Sequence, residues 1–157
     1  MQKISPFLWF NDNAEKAVTF YTSVFKNSRV KSKSFYEEGG MGPAGSLMTA
    51  SFELEGQEFI ALNGGPHFKF TEAISFVINC SNQEEVDYYW DRLSEGGEQS
   101  RCGWLKDPFG LSWQVVPVQL EKWMADKDSV KAKRVTEAML QMNKIIIADL
   151  EKAYQGK

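Results

Sequence analysis

Few side chains in this sequence are equipped for chemistry, and their spacing limits what they can do. The single histidine, His67, stands in the stretch Asn63-Gly64-Gly65-Pro66-His67-Phe68, with no Ser, Cys or Asp identifiable as a nucleophile or orienting partner. Cys80 and Cys102 are too few for a disulfide framework and share no metal-ligand spacing with His67, so they read as small buried thiols. Glu58 is the one carboxylate expected on the same strand face as Ile60 and Leu62, and no second acid is placed to exchange protons with it. What remains is a set suited to holding a molecule: Phe7, Trp9 and Trp104 as aromatic surface, Thr49 and Ser75 as hydroxyls, and Gln114 as an amide. Apolar walls with isolated donors and acceptors describe a small-molecule pocket. They equally describe a filled core, and both readings stand at this point.

The elements that must position these residues occur twice. Phe7-Leu8-Trp9-Phe10 and the helix around Val18 and Tyr21 recur as Ser75-Phe76-Val77-Ile78 and the helix around Val86 and Tyr89, always 68 residues later. Glu55-Gly56-Gln57-Glu58-Phe59-Ile60-Ala61-Leu62 likewise reads like Phe109-Gly110-Leu111-Ser112-Trp113-Gln114-Val115-Val116, each a glycine turn before a largely apolar strand. Each unit therefore runs strand, helix, strand, strand, strand. The first strand is expected over residues 4–10, with Asn11-Asp12-Asn13 as turn and helix N-cap, and the helix over 14–25. In the second unit Ser81-Asn82-Gln83-Glu84 reads as a capping box, and Gly96-Gly97 ends the helix. Further strands are expected at 29–36, 47–54, 57–63, 98–102, 104–106 and 111–116, the last after the turn Asp107-Pro108-Phe109-Gly110.

Alternation along a strand puts Ser5, Phe7 and Trp9 on one face, with Thr49 and Ser51 joining from the third strand. Ala73, Ser75 and Val77 share a face in the second unit, as do Ser112, Gln114 and Val116; Trp113 falls on the opposite, helix-packed side. Gly39, Gly40, Gly42, Pro43 and Gly45 form a loop that either covers a pocket or is a long turn. After Pro117 the sequence is helical and amphipathic, with Val135, Ala138, Met139 and Met142 on one face and Ile145-Ile146-Ile147 and Leu150 extending it. This tail is expected to dock on the body or on another subunit. The organisation is an α+β fold of two tandem βαβββ modules, residues 1–66 and 67–118, with a helical extension over 119–157, all one integrated domain.

A formal charge of -3 and a pI near 5.3 make nucleic acid an unexpected partner. No apolar run is long enough to span a bilayer and residues 1–6 lack a secretory core, so a cytoplasmic protein is expected, with no membrane partner.

The doubled unit and the Asp-Pro-x-Gly hairpin resemble the vicinal oxygen chelate superfamily, which includes glyoxalase I, extradiol dioxygenases and bleomycin-resistance proteins. Ala61-Leu62-Asn63-Gly64-Gly65-Pro66, Ala73-Ile74-Ser75-Phe76 and Cys102-Gly103-Trp104-Leu105-Lys106-Asp107 are similar to its PhnB-like branch, which often carries a demethylubiquinone methyltransferase label. The resemblance implies a curved eight-stranded mixed sheet around a cavity and a homodimer. It also implies metal ligands on the first and last strands of each module, at positions that here hold Ser5, Ile60, Ala73 and Gln114. Ile60 and Ala73 carry no donor and serine is a poor neutral ligand, so neither a metal nor another cofactor is expected. A methyltransferase is disfavoured too, because the glycine run 39–45 leads into a strand instead of opening a helix. The expectation is a metal-independent protein that binds a small organic molecule, with sequestration as its role. The alternatives are a lyase, isomerase or dioxygenase using an atypical metal site at Gln114 and Glu58, and a structural dimer with a filled cavity.

Overall fold

The computed structural model describes residues 2–157, which form two compact units divided between Phe70 and Thr71. The first unit contains β1 (Phe7–Phe10), α1 (Ala14–Val24), β2 (Ser28–Phe35), β3 (Leu47–Leu54) and β4 (Gln57–Asn63). The second contains β5 (Ser75–Cys80), α2 (Gln83–Ser94), β6 (Glu98–Gln99), β7 (Trp104–Lys106) and β8 (Ser112–Pro117), followed by α3 (Val118–Met124), α4 (Ser129–Leu140) and α5 (Ile147–Gln155). Each module makes a four-stranded mixed sheet with the same strand order, β1-β4-β3-β2 in one and β5-β8-β7-β6 in the other. The first strand of each pairs in parallel with the last and the remaining pairs are antiparallel. The duplication read in the sequence is therefore a duplication of topology.

One face of each sheet is closed by its helix. In the first unit Ala14, Ala17, Val18, Tyr21 and Val24 of α1 are buried beside Leu8, Phe10, Ala50, Phe52, Phe59 and Ala61. Tyr21 stacks on Phe52 and Phe52 on Phe59, with ring centroids 6.2 and 5.4 Å apart. Each such side chain contributes about 1.5–3 kcal/mol by leaving water. In the second unit Val86, Trp90 and Leu93 of α2 are buried, as are Leu105, Trp113 and Val115 of the sheet. Trp113 lies on the helix side as alternation required, its indole N–H donating to the buried Asp107 carboxylate at 2.9 Å.

The N-caps differ from the sequence expectation. Asn13 makes no side-chain cap bond; instead the Asn63 side-chain oxygen, at the end of β4, accepts from the Ala14 N–H at 2.8 Å. The α1 terminus is thus satisfied across the sheet, which no local motif can reveal. In α2 the capping box is shifted by one residue: Asn82 accepts from Glu85 N–H and the Glu85 carboxylate accepts from Ser81 N–H. Two strands are shorter than expected. β1 begins at Phe7, leaving Ser5 outside it, and β6 ends at Gln99 because Cys102 and Gly103 are both left-handed, with φ of 60° and 83°.

That left-handed pair fixes the C-terminal tail. The Cys102 and Gly103 N–H groups donate to Met142 and Asn143 carbonyls at 2.8 Å each. Gln83 of α2 adds a bond to Ile145 O and one from Ile147 N–H. Leu120, Val135, Ile145 and Leu150 form a buried cluster with Val116, Ala138, Met139 and Met142 packed on it. The tail docks on its own second unit, through the face its periodicity marked. Among the described residues no helix is long and apolar enough to cross a membrane.

Candidate functional site

The sheet faces away from the helices carry the residues with candidate roles. In the first unit the ladder builds two rows: Phe7, Ile60, Ser51 and Ser32 in one, Trp9, Leu62, Thr49 and Ser34 in the other. Each row runs from apolar at β1 to hydroxylic at β2. Its hydroxyls pair with each other, Ser32 with Ser51 at 2.7 Å and Ser34 with Thr49 at 2.5 Å. Phe7, Trp9 and Thr49 thus share a surface. Glu58 does not stand free on it, because Lys31 donates to its carboxylate at 2.9 Å.

A pocket of about 640 Å³ opens beside the second row. Trp9, Leu62 and Ser34 line it together with Phe35, Tyr36, Glu37, Gly40, Met41, Met48 and Gly64. Its volume falls in the range of small-molecule sites. Met48 reaches it through a β-bulge. Ser34 pairs with Thr49 and Phe35 with Leu47, so Met48 is the extra residue on β3 and the alternation resets there. Simple alternation would have put Met48 with Ala50, against the helix. The glycine loop is a pocket wall as well as a turn, because Gly40 and Met41 line the cavity.

Of the six residues expected to line a pocket, Trp9 lines this one, joined by its row neighbour Leu62, and Phe7, Thr49, Ser75, Trp104 and Gln114 do not; Phe35, Tyr36, Met41 and Met48 went unrecognised. The aromatic pair Phe35-Tyr36 immediately before the glycine run was the signal available for part of that wall.

In the second unit Ser75, Val77, Ser112, Gln114, Trp104 and Lys106 share the face away from α2. Gln114 stands between Val77 and Trp104 in the ladder, and its amide N–H donates to the Ser75 hydroxyl at 2.9 Å. A smaller pocket of about 180 Å³ is lined by Trp104, Lys106, Ser112, Glu72 and Glu98 among others. Lys106 and Glu72 form an ion pair, and their hydrogen bond holds the Glu72 carboxyl below, and the Lys106 ammonium above, the usual range. Ser112 is buried and its hydroxyl has no hydrogen-bond partner among the described residues.

The ladder also corrects the correspondence of the metal-ligand positions. Counting from the hairpin glycine equates Ile60 with Gln114, yet Ile60 pairs with Phe7, and the repeat partner of Phe7, Ser75, pairs with Ser112. Gln114 therefore corresponds to Leu62. The cause is the turn: β3 and β4 join through Glu55-Gly56 alone, while residues 107–111 join β7 to β8. Neither correspondence supplies a ligand set. Ile60, Leu62 and Ala73 have no donor atoms, Ser75 already accepts from Gln114, and Ala73 and Ser5 precede the strands. Among the described residues no three His, Cys, Asp or Glu side chains gather as metal ligands. The donor chemistry present does not fit a divalent ion, which takes several carboxylate, carbonyl or imidazole ligands.

Two tandem βαβββ modules, each a four-stranded mixed sheet backed by one helix, define a protein of the vicinal oxygen chelate class. Within it, the chain belongs to the PhnB-like family described as 3-demethylubiquinone-9 3-methyltransferase, whose model matches residues 2–116. A putative 3-demethylubiquinone-9 3-methyltransferase, PhnB protein, from Bacillus cereus is 37% identical, with a TM-score of 0.69 over 74% of this chain and 100% of that one. A protein from Pseudomonas aeruginosa is 20% identical over 74% and 98% of the two chains, TM-score 0.62. A mutant of the fosfomycin resistance protein FosX from Listeria monocytogenes, solved with Mn(II) and a dihydroxypropylphosphonic acid, is 19% identical over 73% and 91%, TM-score 0.55. The last two likenesses concern the fold. No curated protein matches the sequence.

Proposed function

We propose that this chain is a metal-independent binding protein for a small organic molecule, which it holds in the pocket of its first unit and thereby sequesters. The observation that carries the reading is the cavity of about 640 Å³ lined by Trp9, Leu62, Phe35, Tyr36, Met41 and Met48. Such walls supply burial, and the Ser34–Thr49 hydroxyl pair supplies a polar handle. The ligand-position residues support the metal-independent half, because Ile60 and Ala73 cannot coordinate at all. The methyl transfer in the family description finds no support in the glycine run 39–45, since β3 follows it and no helix N-terminus is offered to a nucleotide-like donor. The reading includes a homodimer, the assembly that the resemblance implies.

Native mass spectrometry of gently purified protein, set beside its denatured mass, tests these points together. A dimer that retains an organic mass and no metal is the expected result, and Trp9→Ala should lose that mass. A stoichiometric divalent ion whose removal releases the ligand would overturn the proposal in favour of a metal-assisted lyase, isomerase or dioxygenase.

A further inference from the structure

The walls of the first-unit pocket carry more information than its volume. Trp9 and Tyr36 both have their polar tips engaged by main chain: the indole N–H donates to Gly65 O at 2.9 Å and the phenol donates to Asn63 O at 2.5 Å. Each ring is therefore held from its edge, and the ring surface that remains for the cavity is hydrocarbon and π, in Trp9 less the part packed by Phe68, whose ring centroid is 4.9 Å away. Bare main chain backs both rings. A Cβ on Gly64 would stand 2.4 Å from the Trp9 ring, and one on Gly42 would stand 2.5 Å from the Tyr36 ring. Any side chain at either glycine would have to displace a pocket wall.

The other walls suit the same occupant. The bulge brings Met48, a residue with a polarizable side chain, to the cavity wall, and Met41, 84% exposed, lines it as well. Among the lining residues Glu37 is the single ionisable acid and there is no Lys, Arg or His. An anion entering this pocket would meet no counter-charge among the lining residues, whereas a cation would gain the aromatic faces and, at the exposed rim, the Glu37 carboxylate.

Resting on the binding role set out above, we infer that the first-unit pocket takes a planar aromatic molecule that is neutral or positively charged, and discriminates against anions and against flexible aliphatic chains. Four probes of similar size test this by calorimetric titration of the full chain: naphthylmethylammonium, naphthalenemethanol, naphthoate and octylammonium. The two non-anionic ring compounds should bind, with naphthoate and octylammonium each at least about tenfold weaker than naphthylmethylammonium. Glu37→Gln should remove the preference for the cation and leave naphthalenemethanol unchanged. Trp9→Leu should weaken the ring probes by about tenfold or more. Because that variant alters a wall, Met41→Ala serves beside it; this exposed change should weaken ring binding several-fold while leaving the melting temperature unmoved.

Octylammonium binding as tightly as the rings, or naphthoate binding as tightly as the cation, would overturn the inference while leaving the small-molecule role intact. Ring binding indifferent to both Trp9→Leu and Met41→Ala would place the probes elsewhere and overturn it as well. If no probe binds and the purified protein also retains no organic mass in its native spectrum, the binding role itself fails with the inference.

Discussion

Asn63→Ala should cost far more than Asn13→Ala, although a sequence reading ranks the two the other way. The Asn63 side chain accepts from the Ala14 N–H at 2.8 Å and donates to Leu47 O at 3.2 Å, joining the start of α1, the end of β4 and the start of β3. Ala14 is 0% exposed, so water cannot replace the lost acceptor. Leaving that N–H unsatisfied costs about 1–3 kcal/mol, and losing the second bond about 1 kcal/mol more. The total of about 2–4 kcal/mol lowers the melting temperature by roughly 5–15 °C for a chain of this size. Asn63→Asp keeps the acceptor for Ala14 N–H and adds a charge favourable at a helix N-terminus but sets a carboxylate oxygen against Leu47 O where the N–H was, so its loss should lie between those of Asn13→Ala and Asn63→Ala. Asn13, whose side chain makes no cap bond, should tolerate alanine within about 0.5 kcal/mol. Calorimetry and urea titration give the ordering, and amide exchange in the first turn of α1 locates it. An Asn13→Ala loss equal to that of Asn63→Ala would refute the cross-sheet cap.

Three further outcomes follow from other parts of the molecule. Ser112→Ala should be neutral or stabilising by up to about 1 kcal/mol, since it removes a buried hydroxyl that has no partner; a loss above about 1 kcal/mol in urea titration would mean that the hydroxyl is bonded after all. Burial pushes the Cys80 thiol up to about 12, so at neutral pH a thiol reagent should label the half-buried Cys102 first and reach Cys80 only on unfolding, which peptide mapping reads directly. The carboxyls of Glu53, Glu72, Asp87 and Asp126 are held below their usual range, chiefly by hydrogen bonds from Arg29, Lys106, Gln83 and Tyr154 respectively. Lowered folded-state values mean stability that is present above the ordinary carboxylate pKa and lost as pH falls through the lowered ones, so the melting temperature should hold from neutral pH to about 5 and fall below about 4. A flat profile across that acid range would contradict the assignment.

The topology was legible because it is written twice. A fixed spacing of 68 residues, tight glycine turns and two helical stripes specify two copies of one unit, and β3, β4 and β7 occupy the expected residues. The tail was legible for a related reason, since Val135, Ala138, Met139 and Met142 mark the face that is packed against Leu120, Ile145 and Leu150. The site was legible only in part. Trp9 and Leu62 follow from strand alternation, but Met48 depends on a bulge, and a bulge is a mismatch between two strands that neither strand's sequence records. Asn63 as the cap of α1 escaped for the same kind of reason, being a contact between residues 49 apart in sequence. Local signals report local bonds, whereas the Met48 bulge and the Asn63 cap are both made across a sheet; the one-residue shift of the α2 capping box is the local exception.

The two copies share a frame, yet their turns give them different surfaces. In the first, a two-residue turn sets Trp9, Leu62 and Thr49 in one row, and the long segment between β2 and β3 leaves room for Tyr36 and the glycine loop to wall a cavity. In the second, the turn over residues 107–111 shifts β8 by two residues relative to the count from the glycine. The row that corresponds to Trp9–Leu62–Thr49 becomes Val77–Gln114–Trp104, and its neighbour ends in the Lys106–Glu72 ion pair. β6 is only two residues long where β2 has eight, so the second copy has no comparable strand edge on which to build a large apolar wall. The left-handed Cys102 and Gly103 that end this strand hold the C-terminal helices instead. Those helices lie beyond the family match at residues 2–116. One copy of the unit has thus become a pocket and the other an anchor. On that division, removing the tail should destabilise the second unit and spare the ring probes, whereas Trp9→Leu should do the reverse.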